Sequence, residues 1–125
     1  MTARISEAER IVMEALWRRS PLSADDVVEA VARPNEWEPA TVRTLLNRLL
    51  KKGVVSAERV ERRYQYAPVL ARDAYLAEES GSFLDRLFDG ELAPFVSHLS
   101  KQQKLSDADI AELKRLIEEI EAEDG

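Results

Sequence analysis

A chain of 125 residues with 45% hydrophobic content suffices for one ordinary domain, or for a small domain with an appendage. It has no cysteine, which excludes disulfides, thiolate metal sites and a cysteine nucleophile, and fits a reducing compartment. The net charge of -6 argues against a nucleic-acid binder only until its distribution is read: residues 1–68 carry 12 Lys or Arg against 10 Asp or Glu, whereas residues 69–125 carry 6 against 14. The start, Met1-Thr2-Ala3-Arg4-Ile5-Ser6-Glu7, has no apolar run of signal or membrane-span length, so a soluble, cytoplasmic protein without membrane insertion is expected.

Ser6-Glu7-Ala8-Glu9 is a capping box and predicts a first helix, with Ala8, Ile11, Val12, Ala15 and Leu16 spaced as its buried stripe and Trp17 closing it near Ser20-Pro21. Ser23-Ala24-Asp25-Asp26 repeats the start signal. It predicts a short second helix with Val27, Val28 and Val31 as its apolar side, ended by Arg33-Pro34.

The stretch Glu38 to Gly53 predicts the third helix. Pro39 suits a first helical position and Gly53 the left-handed residue just past a helix end. On a helical wheel Val42, Leu45, Leu46 and Leu49 share one face, while Ala40, Arg43, Thr44, Asn47, Arg48 and Lys51 gather on the other. Side chains of these polar types hydrogen-bond base edges or phosphates, so the helix is a candidate DNA reader. Residues 40–63 hold 7 basic side chains against 2 acidic, a local excess that a phosphate backbone would feel.

After Gly53 the period changes to two. Val55 and Ala57, then Tyr64 and Tyr66, alternate with polar neighbours and predict a hairpin around a charged turn, Arg59 to Arg62. Three short helices followed by such a hairpin are the order of a winged helix-turn-helix, with the wing over 54–67. Two domains are expected: a winged helix over 1–68, and a helical region over 69–125.

Pro68 marks the change to the acidic half. A helical stretch from about Arg72 to Asp89, with Leu76, Phe83, Leu84, Leu87 and Phe88, is expected to be interrupted at Ser80-Gly81-Ser82 and to finish at Gly90. Glu91 to Leu99 predicts a short helix, and Ser106-Asp107-Ala108-Asp109 starts the last one. There Ile110, Leu113, Ile117 and Ile120 step at the spacing of a helix seam, over too few heptads for an autonomous coiled coil. These stripes predict pairing with a second copy through Leu84, Leu87, Phe88, Ile110, Leu113, Ile117 and Ile120, the rival being that they fold back on their own winged helix.

The chain resembles the penicillinase-repressor (BlaI/MecI/CopY) family of winged-helix regulators over nearly its full length. The matching stretches are Ser6 to Glu9 with Val12-Met13 and Leu16-Trp17; Thr41 to Leu49 with Lys52-Gly53; Tyr64 to Pro68; and Ser82 to Gly90. The resemblance implies a homodimeric repressor on palindromic operator DNA, with Thr41, Arg43, Thr44, Arg48 and Lys51 at the DNA and Arg62 and Arg63 in the wing. The wheel adds Asn47, and leaves Thr41 between DNA contact and capping. The resemblance further implies induction by a membrane sensor peptidase, through cleavage of the repressor in the helix corresponding to Glu91–Leu99. His98-Leu99 stands where such relatives have Asn-Phe, and Glu61 where they have Gly. The cysteine-rich tail of copper-responsive relatives is absent from this sequence.

No cofactor or metal is expected, and an enzyme is the least supported class. His98 is the only histidine, and Asp25-Asp26, like Asp107 and Asp109, sit at helix starts, where carboxylates complement the dipole. The remaining rivals are a winged helix serving as a protein-interaction module and a ligand-sensing winged-helix repressor, although nothing in the sequence identifies a small-molecule pocket.

Overall fold

The computed structural model describes residues 4–124; Met1, Thr2 and Ala3 of the chain start, and Gly125 at its end, lie outside the described residues. The elements in order are α1 (Glu7–Arg18), β1 (Leu22–Ser23), α2 (Ala24–Val31), α3 (Pro39–Lys52), β2 (Val55–Val60), β3 (Arg63–Pro68), α4 (Arg72–Phe88), α5 (Leu92–Lys101) and α6 (Asp107–Asp124). Packing divides them into two compact units, one up to Leu76 and one from Ala77.

In the first unit the capping boxes form as the spacing predicts. The Glu9 amide donates to the Ser6 hydroxyl at 3.1 Å while the Ser6 amide donates to Glu9 Oε1 at 2.8 Å, and Ser23 and Asp26 exchange the same pair of bonds. The stripe of α1, however, is rotated by one position from the expected one. Glu9, Val12, Met13 and Leu16 are buried, and Ala8, Ile11 and Ala15 lie half-buried beside them. The helical spacing leaves Glu9 outside the apolar stripe, whereas a cation from α3 draws it inside. Val28 is likewise half-buried beside Val27 and Val31.

Val42, Leu45, Leu46 and Leu49 of α3 are all buried and lock it onto α1 and α2, each enclosed side chain contributing about 1.5–3 kcal/mol. Gly53 ends the helix at φ 76, and the Val54 amide closes back on the Leu49 carbonyl at 3.2 Å.

The sheet has three antiparallel strands in the order β1-β3-β2, with Leu22 opposite Tyr66 and Val55 opposite Pro68. The first strand is absent from the sequence expectation because two residues carry no period. The hairpin is also tighter than expected. Arg59 and Val60 belong to β2, and the turn is only Glu61-Arg62, both at positive φ (48 and 72), as a primed two-residue turn requires. Val69 and Leu70 then donate to the Val54 carbonyl, the Trp17 indole N–H donates to the Leu70 carbonyl at 2.8 Å, and the Trp17 and Tyr75 rings lie 5.5 Å apart. These bonds tie the residues just past Pro68 to the first unit.

In the second unit, α4 runs unbroken through Ser80-Gly81-Ser82, correcting the expected interruption. A lone helical glycine costs about 1 kcal/mol, which flanking turns and packing overcome. Phe83 and Phe88 meet Phe95 of α5, with ring centroids 5.1 and 5.4 Å away. Asp89 and Gly90, at φ 51 and 78, turn the chain between the two helices. The helix α5 continues past Leu99 to Lys101, and Ser106 and Asp109 form the capping box of α6, which buries no residue.

Candidate nucleic-acid interface

The period that buries one face of α3 leaves Thr41, Arg43, Thr44, Asn47, Arg48 and Lys51 exposed on the other. They do not stand in equivalent surroundings. Arg43 Nη2 donates to Asp25 Oδ1 of α2 at 2.7 Å, with both side chains more than half exposed. Arg48 and Lys51 have no ion pair among the described residues, and neither do Arg62 in the turn and Arg63 in β3. The Thr44 hydroxyl donates to the Ala40 carbonyl at 3.0 Å, so it is engaged by its own helix. No side chain caps the start of α3: Glu38 makes no such bond, and the Thr41 hydroxyl has no hydrogen bond among the described residues.

The neighbouring cation behaves oppositely. Lys52 Nζ donates to Glu9 Oε1 at 2.6 Å and to the Arg4 carbonyl at 2.7 Å, so its charge is satisfied inside the fold. Burial pushes the Glu9 carboxyl up, but the Lys52 ammonium, the Ser6 amide and hydroxyl, and the Lys52 charge outweigh it and hold the group below its ordinary value. Lys51 and Lys52 are adjacent in sequence and opposite in role.

The wing carries its own pattern. Register places Ala57 opposite Tyr66 and Arg59 opposite Tyr64, so the strand face that is half-buried at Ala57 and Tyr66 continues to the tip as Arg59 beside an exposed tyrosine. Sequence reasoning missed Arg59 and Tyr64 as interface candidates by placing Arg59 in the turn. It also missed Asp25, which it read only as a helix-start carboxylate.

The remaining candidates lie in the second unit. Leu84 and Phe88 are half-buried, while Leu87, Ile110, Leu113, Ile117 and Ile120 are exposed, with Leu116 exposed beside them. His98 is exposed and its ring lies 6.5 Å from that of Phe88, whereas Leu99 is half-buried; the carbonyls of both accept backbone bonds at the end of α5.

A three-helix unit with a two-stranded wing and an outward basic third helix is a winged helix-turn-helix of the DNA-binding repressor class. The sequence pattern of the penicillinase repressors matches residues 5–119, and the chain belongs to that family. It is 33% identical to the penicillinase repressor of Bacillus licheniformis over 115 residues, 92% of this chain and 90% of that one. With the methicillin resistance regulatory protein MecI of Staphylococcus aureus (strain N315) it shares 28% identity over 116 residues, 93% and 94% of the two chains. Among solved structures, the Bacillus licheniformis BlaI monomeric form in complex with the blaP half-operator matches with a TM-score of 0.54 and 31% identity, over 60% of this chain and 92% of that one.

Proposed function

We propose that this chain is a homodimeric transcriptional repressor that binds a palindromic operator through the helix 39–52 and the wing 54–67. The observation that carries the reading is the outward set on α3, Thr41, Arg43, Thr44, Asn47, Arg48 and Lys51, all exposed on a helix whose other face is buried. Arg62 and Arg63 at the wing extend it toward the backbone. The relative solved with a half-operator supports the same use of the fold.

The dimer reading rests on the second unit. Ile110, Leu113, Ile117 and Ile120 lie exposed along α6, and Leu87 along α4, an apolar surface of the kind that a second copy covers. With Leu84 and Phe88 they form the interface, and two copies present two α3 helices to half-sites about one DNA turn apart. No helix of the described residues is long and apolar enough to cross a membrane, and the protein acts in the compartment that holds its operator, the cytoplasm.

Induction by a sensor peptidase would act on α5. The His98–Leu99 bond lies within that helix, so a protease must first unwind it to reach the bond.

A titration of upstream DNA of the chain's own gene at two salt concentrations tests the function. A DNA reader loses affinity steeply with salt, in proportion to the phosphates it neutralises. Flat, negligible binding would instead favour a protein-interaction module.

A further inference from the structure

The ion pair between Arg43 and Asp25 joins α3 to α2. It lines a cleft of about 200 Å³ together with Ser23 of β1 and Arg63, Tyr64 and Tyr66 of β3, where α2, α3 and the wing converge. Arg63 also borders this cleft but forms no ion pair among the described residues, and the Asp26 carboxylate is engaged by the Ser23 amide. Asp25 is thus the carboxylate that engages Arg43.

We propose that Asp25 is a positioning and specificity-determining residue for DNA reading, acting through Arg43. The inference rests on the operator-binding reading above. A single carboxylate oxygen takes one Nη2 hydrogen and leaves the other guanidinium donors to a base edge. An arginine held in place before docking loses less side-chain freedom on binding than one that must be ordered by the DNA. The same carboxylate repels phosphates wherever no base acceptor compensates, which lowers affinity for wrong sequences. Both effects widen the gap between operator and bulk DNA rather than raising affinity for all DNA.

The test uses a randomised duplex pool from which the full-length wild-type protein enriches a preferred sequence. Affinities for that duplex and for a scrambled one are then measured at one salt concentration, for the wild type, D25A, D25N, R43A and the D25A/R43A double variant. Thermal melts confirm that each variant folds. Loss of a base-reading arginine should reduce discrimination by roughly tenfold. D25A should reduce it by about twofold or more, and by nothing further in the R43A background. D25N keeps an oxygen acceptor for Nη2 without the charge, so it should fall between wild type and D25A. An unchanged or improved discrimination ratio in D25A, equal losses in D25A and D25N, or an undiminished effect of D25A in the R43A background would each overturn the role of Asp25. A wild-type protein that enriches no sequence at all would instead overturn the operator reading itself.

Discussion

Glu9 and Lys52, 43 positions apart, meet at 2.6 Å, and the Glu9 side chain is 2% exposed. Its second oxygen, Oε2, is buried with no hydrogen-bond partner among the described residues, so the charge depends on Lys52 and Ser6. Removing the cation by Lys52→Ala should leave a carboxylate stranded beneath the first helix and destabilise the fold by about 1.5–3 kcal/mol near neutral pH, measured by denaturant melts.

The pH dependence has a definite sign. Because the folded state holds the Glu9 carboxyl below its ordinary value, the stabilisation is fully present above the unfolded carboxylate range, about pH 4.3, and is lost as pH falls through the folded value. Glu9→Gln should therefore flatten the acid limb of the stability curve below about pH 5, where the wild type falls steeply. Equal acid limbs for the two proteins would contradict the pairing.

Lys51 and Lys52 separate binding from folding. Arg48→Ala or Lys51→Ala should weaken DNA binding while leaving the melting temperature and the oligomeric state unchanged, since both side chains are exposed and have no ion pair among the described residues. If the truncated side chain neutralises a phosphate, the salt slope should fall by about one and all sequences should bind more weakly alike. If it reads a base, the substitution should cost about 1–3 kcal/mol and relax specificity. Binding equal to the parent in both variants would refute this orientation of α3.

The wing turn carries strain at two residues with side chains. Glu61 and Arg62 both sit at positive φ, where a Cβ is disfavoured, and the former occupies the position at which relatives are expected to have Gly. Glu61→Gly should raise stability by about 1 kcal/mol, read as a higher denaturation midpoint, and also strengthen DNA binding by removing an acid from the phosphate path. Arg62→Gly should stabilise similarly yet weaken DNA binding. Opposite shifts in affinity with like shifts in stability are the signature to look for.

The seam of α6 predicts assembly. Ile117→Glu places a charge in the middle of the exposed stripe and should convert a dimer into monomers by sedimentation at micromolar concentration, with no loss of the winged-helix melt. A wild-type chain that sediments as a monomer would remove the basis of this prediction.

How much was legible in the sequence varies by element. The borders of α3, its buried face and its exposed set could all be read, because Pro39, Gly53 and the helical period act between near neighbours. The stripe of α1 could be read only to within one position, since the burial of Glu9 depends on a lysine in another helix. Arg59 fell on the wrong side of the strand boundary because the run Arg59 to Arg62 is uniformly charged or polar apart from Val60, and only cross-strand register places it opposite Tyr64. The first strand, β1, could not be found at all, being two residues long and defined by its pairing with β3.

What the sequence by itself determined is therefore everything that works over a helical turn or a tight hairpin: the capping boxes, the amphipathic faces, and the presence of a wing after a basic helix. What only the tertiary structure decided is which cations remain available. Arg43 and Lys52 look equivalent to Arg48 and Lys51 along the chain, yet their partners Asp25 and Glu9 come from 18 and 43 positions away. Coulombic and hydrogen-bond energies depend on separation in space, which local periodicity does not encode.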